Sequence, residues 1–290
     1  MTDQAHAYGI DWPLVSPIAI GLWGFVMVGL ERLFPYDKRQ KLFREGFVLD
    51  MFVYTFAQSY VLGLLIAEII KTLEVAGRGR LHFVTSWPVW AQLLFFFVTH
   101  DLYIYTFHRF QHKNRWFWRT HEAHHSGHDV DWLSGSRSHP LEILINQTIE
   151  YAPIVLLGAH PDVALMKGLL DAVWGMFIHS NIDVRMGVLQ YVFNGPEMHR
   201  WHHSSDEGLG VENKGVNFAT KLAIWDWMFG TGYLPEDEKP KAYGIYGNPD
   251  FPKGYFGQVI HAFRKFPKSA AEASDSPDVA LANAGPKNGT

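Results

Sequence analysis

The sequence predicts an all-α fold: an integral membrane helical bundle of about four spans or helical hairpins, with a histidine-rich cytoplasmic end suited to a di-metal centre. Three observations carry that expectation: apolar runs of helical length, a basic loop that orients them, and three tight histidine groups outside the runs. Of 290 residues, 48% are hydrophobic and 15% aromatic while 19% are charged, enough apolar surface for a large core or a lipid-facing girdle.

A bilayer core is crossed by about 20 helical residues. The first apolar run covers Leu14 to Leu33 and the second Phe47 to Ile70. The third runs from Val89 into Tyr105 and is interrupted late by His100 and Asp101, an ionisable pair whose cost in an apolar run suggests hydrogen bonding beside a site. Two shorter runs, Leu141 to Leu157 and Val163 to Ile178, are joined by Gly158-Ala159-His160-Pro161-Asp162 and read as a helical hairpin. Buried helices of a soluble protein are the competing reading, and loop charge counts against it. Arg32, Lys38, Arg39, Lys41 and Arg44 crowd the first connection, whereas Met1 to Pro13 holds no basic residue. That asymmetry places the basic loop in the cytoplasm, and the first run lacks the charged flank of a cleavable signal. Alternating spans from there brings every histidine group to the cytoplasmic face. The expected organisation is an N-terminal segment 1–13, one membrane-bound domain 14–268, and a disordered tail 269–290 rich in Ala, Ser, Pro, Asp, Asn and Gly. Pro235 to Tyr255 reads as loop.

Composition removes several functional classes. The absence of cysteine excludes disulfides, thiolate zinc sites and iron–sulfur clusters, so any metal takes His, Asp or Glu. A net charge of -4 provides no basic stripe for nucleic acid. The glycine turns Gly77 to Gly79 and Gly208 to Gly215 are not placed as strand-loop-helix phosphate cradles, so reducing equivalents are expected from another protein.

Eight of the sixteen histidines fall in three groups. His108 and His112 stand at i and i+4; His121, His124 and His125, and again His199, His202 and His203, stand at i, i+3 and i+4. Each spacing puts its imidazoles on one side of a helix. Imidazole binds iron, zinc or copper, and one ion takes three or four protein ligands, so eight rings imply two metals with open positions. The isolated histidines His6, His82, His128, His160 and His261 read as ordinary structural or surface side chains. Glu122, Asn181, Asp183 and Asp226 are candidates to orient ligand imidazoles through the second ring nitrogen. Trp116, Phe117, Trp118, Trp225, Trp227 and Phe229 read as an interfacial aromatic belt, with the lining of a lipid channel as the alternative.

The segments Asp101 to His112, Trp118 to Ser126, Gly195 to Ser204 and Ile224 to Thr231 resemble the fatty acid hydroxylase and sterol desaturase superfamily, a likeness extending over Val89 to Tyr233. The resemblance implies a di-iron centre in a cytosolic cap over transmembrane helices, performing O2-dependent oxidation of a lipid C–H bond. It implies metal ligation by His108, His112, His121, His124, His125, His199, His202 and His203. His179, in Phe177-Ile178-His179-Ser180-Asn181, occupies the place of a further ligand; some members carry another histidine where this chain has Asp183. His139, before Pro140, matches a recurring feature and stands as ligand, hydrogen-bonding neighbour or helix entrance. Two irons and O2 are the implied cofactor and co-substrate, with zinc able to occupy the site in purified protein. An external reductase with ferredoxin or cytochrome is the implied donor. The substrate class spans fatty acyl chains, sphingoid bases, sterols and carotenoids, the outcome hydroxylation or desaturation.

Two other readings compete. One is a membrane metal-ion transporter or metal-binding protein; transport would place its ligands near mid-membrane, yet these groups lie beyond the predicted spans. A zinc hydrolase would need HExxH spacing, which His121-Glu122-Ala123-His124 does not have.

Overall fold

A computed structural model describes residues 6–77, 79–206, 215–245 and 250–265. The expectations for the tail 269–290 and for positions 208–214 of the second glycine turn lie outside the described residues. Among those described the architecture is helical, with two isolated β-bridges.

The first helix, α1 (Trp12–Leu33), starts where the Asp11 side chain accepts the Leu14 N–H at 3.2 Å. The second, α2 (Leu49–Ala76), is wound as a π-helix to Gln58 and as an α-helix thereafter. These two are long and apolar enough to cross a membrane. Leu22, Phe25, Phe52, Phe56, Tyr60 and Leu64 stand exposed along them, the contiguous apolar surface expected of helices solvated by lipid.

The remaining apolar runs are helices with polar interiors. In α3 (Val89–Lys113) the buried residues include Gln92, His100, Asp101, His108, Gln111 and His112. The expected hairpin is α5 (Pro140–Leu156) and α6 (Pro161–His179), which bury Glu142, Glu150, Asp162 and Lys167. Its turn passes through Gly158 at φ +78°, where a Cβ would lie 2.6 Å from Thr85 Oγ1, so glycine is required on both counts. The remaining α-helices among the described residues are short: α4 (Arg115–His125), α7 (Pro196–His202), α8 (Ile224–Met228) and α9 (Tyr255–His261).

Packing pairs α1 with α6 and α2 with α5, while α3 lies against α6, α5 and α4. Leu62, Ile66 and Ile70 form one stripe of α2 that meets Ala152 of α5, an i, i+4, i+8 seam. Val84 and Phe96 close over Ile154, Ala159 and Val163 at the hairpin turn. The connection from α4 to α5 is tied to the bundle by buried charge. Arg44 donates to both oxygens of Asp131 at 2.8 and 2.7 Å, Arg137 to both oxygens of Asp50 at 2.8 and 2.9 Å, and Arg44 also reaches Asp50 at 2.8 Å. Each charge in this quartet is satisfied by its neighbours, and removing one leaves an uncompensated buried ion.

Candidate metal centre

Helix ends deliver the histidines. The last turns of α3 carry His108 and His112. At the break that follows, the Asn114 side chain accepts N–H groups of Trp116 at 3.0 Å and Phe117 at 3.4 Å, starting α4 at once. The chain therefore reverses within a few residues, and His121, His124 and His125 come back beside the first pair. His179 closes α6, and α7, packed on α6, brings His199 and His202 with His203 at its end.

All nine histidines converge, in two sets. His108, His112, His121, His125 and His202 form one, and His124, His179, His199 and His203 the other; within each set the potential ligand atoms lie within 4.8 Å of one another. The sets adjoin, with ring centroids 4.5 Å apart for His125 and His203 and 5.0 Å for His121 and His124.

The ring nitrogens divide by role. Nδ1 of His108 faces the Phe218 carbonyl at 2.7 Å, that of His124 the Arg137 carbonyl at 3.0 Å, that of His179 the Gly175 carbonyl at 2.8 Å and that of His202 the Val216 carbonyl at 2.8 Å. Nδ1 of His121 faces Glu142 Oε1 at 2.8 Å. These acceptors require a proton on Nδ1, which leaves the Nε2 lone pair pointing inward. There the nitrogens crowd: Nε2 atoms of His108 and His121 are 2.9 Å apart, those of His179 and His199 2.9 Å, and those of His199 and His203 3.1 Å. Nε2 of His125 and of His202, and both ring nitrogens of His112, are buried without a hydrogen-bond partner. Orphaned, mutually facing lone pairs cost stability in a buried site and become ligands when a cation lies between them, so the donor set fits two nitrogen-ligated ions. Burial, reinforced by neighbouring rings, pushes His108, His121, His124 and His179 down to about 3 and holds His112, His125, His199, His202 and His203 well below their usual range. All nine are neutral near pH 7, the protonation state a metal needs.

The other expected residues lie elsewhere. His139 is outside both sets: its Nδ1 accepts the Leu141 N–H at 3.1 Å as the cap of α5, the helix-entrance role, and Nε2 faces the Val259 carbonyl at 3.2 Å. Asp183 pairs with Lys239 at 3.2 Å on the surface, and Asn181 holds Asp37. Glu122 binds Arg264 at 2.7 and 2.8 Å. Asp226 acts at one remove, accepting the N–H groups of Phe218 and Ala219 at 2.8 and 2.9 Å and so fixing the carbonyl that holds His108. Asp101 likewise binds the backbone of Lys221 and Leu222 and the Trp225 indole. His100 faces Lys167 Nζ at 2.8 Å, in a buried group with Glu150 and Asp171. That group contains enough ligand atoms for a metal, but the Lys167 ammonium sits among them where a cation would. Trp118 is not in an interfacial belt: it is fully buried, with its ring 5.1 Å from His112 and 5.3 Å from His125. Sequence reasoning missed Glu142; an acid at the head of an apolar run was the available signal.

A cavity of 280 Å³ opens against His108, His121, His124, His179 and His199, giving a small molecule room beside the inward nitrogens.

Comparison with known proteins fits this geometry. A family model described as fatty acid hydroxylase matches residues 93–231, which contain all nine histidines. The ornithine lipid hydroxylase OlsE of Rhizobium tropici is 31% identical over 276 residues, covering 91% of this chain and 81% of that protein. Human alkylglycerol monooxygenase is 31% identical over 145 residues, 50% of this chain and 31% of the relative. Rat methylsterol monooxygenase 1 is 29% identical over 151 residues, 51% and 49%. The chain thus spans a third to a half of the last two. No solved structure matches. With that identity sustained over most of both chains, and the nine histidines within the matched region, the chain belongs to the fatty acid hydroxylase family.

Proposed function

We propose that this protein is a membrane non-haem di-iron oxidoreductase that uses O2 to oxidise an unactivated C–H bond of a lipid, with hydroxylation as the primary outcome and desaturation as the alternative. The observation that carries the reading is the pair of adjoining, buried, neutral histidine sets beside a cavity. Five imidazoles would hold one ion and four the other. Bound iron would supply the reduction of O2 and the oxidation of the C–H bond, with electrons from an external reductase through a ferredoxin or cytochrome.

The chain's own residues supply the remainder. The carbonyls of Phe218, Arg137, Gly175 and Val216, with the Glu142 carboxylate, hold each Nδ1 proton and fix the ring planes. Burial of the rings excludes bulk water from the reacting region. The apolar faces of α1 and α2 keep the protein in the bilayer where its substrate resides, and the basic loop after α1 sets the histidines on the cytoplasmic side. Relatives named as hydroxylase and monooxygenase of ornithine lipid, alkylglycerol and methylsterol support a lipid substrate and favour oxygen insertion. Zinc suits the same imidazoles, so the metal found in a preparation does not identify the working one.

The test is lipid analysis of a host expressing the wild-type chain or the His202→Ala or His203→Ala variant under 18O2. A lipid carrying one labelled oxygen with the wild type alone is the expected result; loss of two hydrogens makes the protein a desaturase. An unchanged lipid profile with iron-loaded wild type and a competent donor contradicts the proposal.

A further inference from the structure

Two cavities meet beside the histidines. One is an apolar groove of 810 Å³ between α1, the first turns of α2 and α6, with walls that include Phe25, Phe43, Phe56 and Met176. It extends from Phe43 and Phe47 in the basic connection to Pro17 within α1, so it follows the membrane-facing part of the bundle. The other is the 280 Å³ chamber against the imidazoles, whose further walls carry Glu142, Asn146, Gln147, Glu150 and Lys221. Gly135, Asp171 and Gly175 border both.

The missing side chain leaves room for the His179 ring at Gly135 and open space at Gly175. A Cβ on Gly135 would lie 2.6 Å from Nδ1 of His179, whereas a Cβ on Gly175 would meet nothing within 4 Å. The space at Gly175 is therefore open, with no protein atom packed into it.

Polarity changes from groove to chamber. A lipid methylene is stabilised by burial in an apolar groove. The same methylene against Glu142, Asn146 and Gln147, which line the chamber and not the groove, would cover polar groups and return no hydrogen bond. For a polar head group the preference reverses. Resting on the lipid-oxidising reading, we infer that the substrate lies with its apolar chain in the α1–α2–α6 groove and passes its polar end between Gly135 and Gly175 into the chamber. The oxidised carbon then lies close to the polar group, and Gly175 sets the width of the passage.

The test uses membranes of a host expressing the full chain under 18O2, with fragmentation of the labelled lipid to locate the oxygen. The label is expected on the head-group side. Gly175→Leu should retain wild-type metal content and lower labelled product at least about tenfold, a barrier of about 1.4 kcal/mol. Gly21→Leu, in the groove wall where a Cβ also meets nothing within 4 Å, should lower it as well. As an independent readout, a diazirine-bearing fatty acid incorporated into host lipids should crosslink on irradiation to residues 12–33 or 49–58, and Gly21→Leu should suppress that crosslink. Label on the distal half of the chain would overturn the orientation while leaving lipid oxidation standing. Wild-type turnover by metal-loaded Gly175→Leu would overturn the passage. Should Gly175→Leu fail to load metal, Gly21→Leu decides, and wild-type turnover and crosslinking there overturn the groove. Absence of both labelled and desaturated lipid from loaded wild type would remove the underlying reading and this inference together.

Discussion

Replacing Glu142 probes how the five-histidine set is held. Its Oε1 accepts the His121 Nδ1 proton at 2.8 Å. Glutamine keeps an acceptor oxygen of similar reach and loses the charge. A hydrogen bond to an ionised partner contributes about 1.5–3 kcal/mol, against about 0.5–1.5 kcal/mol between neutral groups. The difference, about 1–1.5 kcal/mol, corresponds to roughly tenfold in metal affinity. Alanine removes the acceptor and leaves a buried N–H, which brings the loss towards about a hundredfold, the upper range for groups that orient a metal-bound histidine. Chelator competition on detergent-solubilised protein reads this directly. The more weakly held ion should dissociate at lower chelator concentration in Glu142→Gln and lower still in Glu142→Ala. Wild-type retention of both ions in the two variants would refute the claim that this carboxylate orients His121.

Four further outcomes are expected. His139→Ala should cost about 1 kcal/mol of stability through loss of the α5 cap while metal content stays at the wild-type level, checked by denaturant melts and metal analysis. Asp50→Asn should cost about 3–5 kcal/mol, because Arg137 and Arg44 would lose a buried partner, and a lower denaturation midpoint would register it. Metal removal should lower the melting temperature, since an ion at a hundred times its dissociation constant adds about 2.7 kcal/mol. The metal-free protein should lose stability as pH falls from 6.5 towards 3: in that window unfolded histidines take up protons and the buried ones do not, so protonation favours unfolding, as melts across the range would show.

The three histidine groups were legible because their i, i+3 and i+4 spacing is local and α3, α4 and α7 realise it. Their partition was not. His124 leaves its sequence neighbours His121 and His125 to join His179, His199 and His203, and that depends on where α6 and α7 dock. His179 was reached through family resemblance alone. Glu142 and the carbonyls of Phe218 and Val216 escaped for the same long-range reason: nothing near His121, His108 or His202 in sequence announces them. His139 and Asp183 show the converse, residues in suggestive places whose partners are a helix N-terminus and a surface lysine. The apolar runs located five helices, but inward-facing residues such as Glu150 and Lys167 were hidden by the averaging that defines a run.

The proposed function requires two ions, each held by its own histidine set. Anomalous diffraction from metal-loaded protein tests it most directly. Two peaks per chain are expected, one among His108, His112, His121, His125 and His202 and one among His124, His179, His199 and His203. A single peak, or a peak beside Lys167 in place of either, would contradict it.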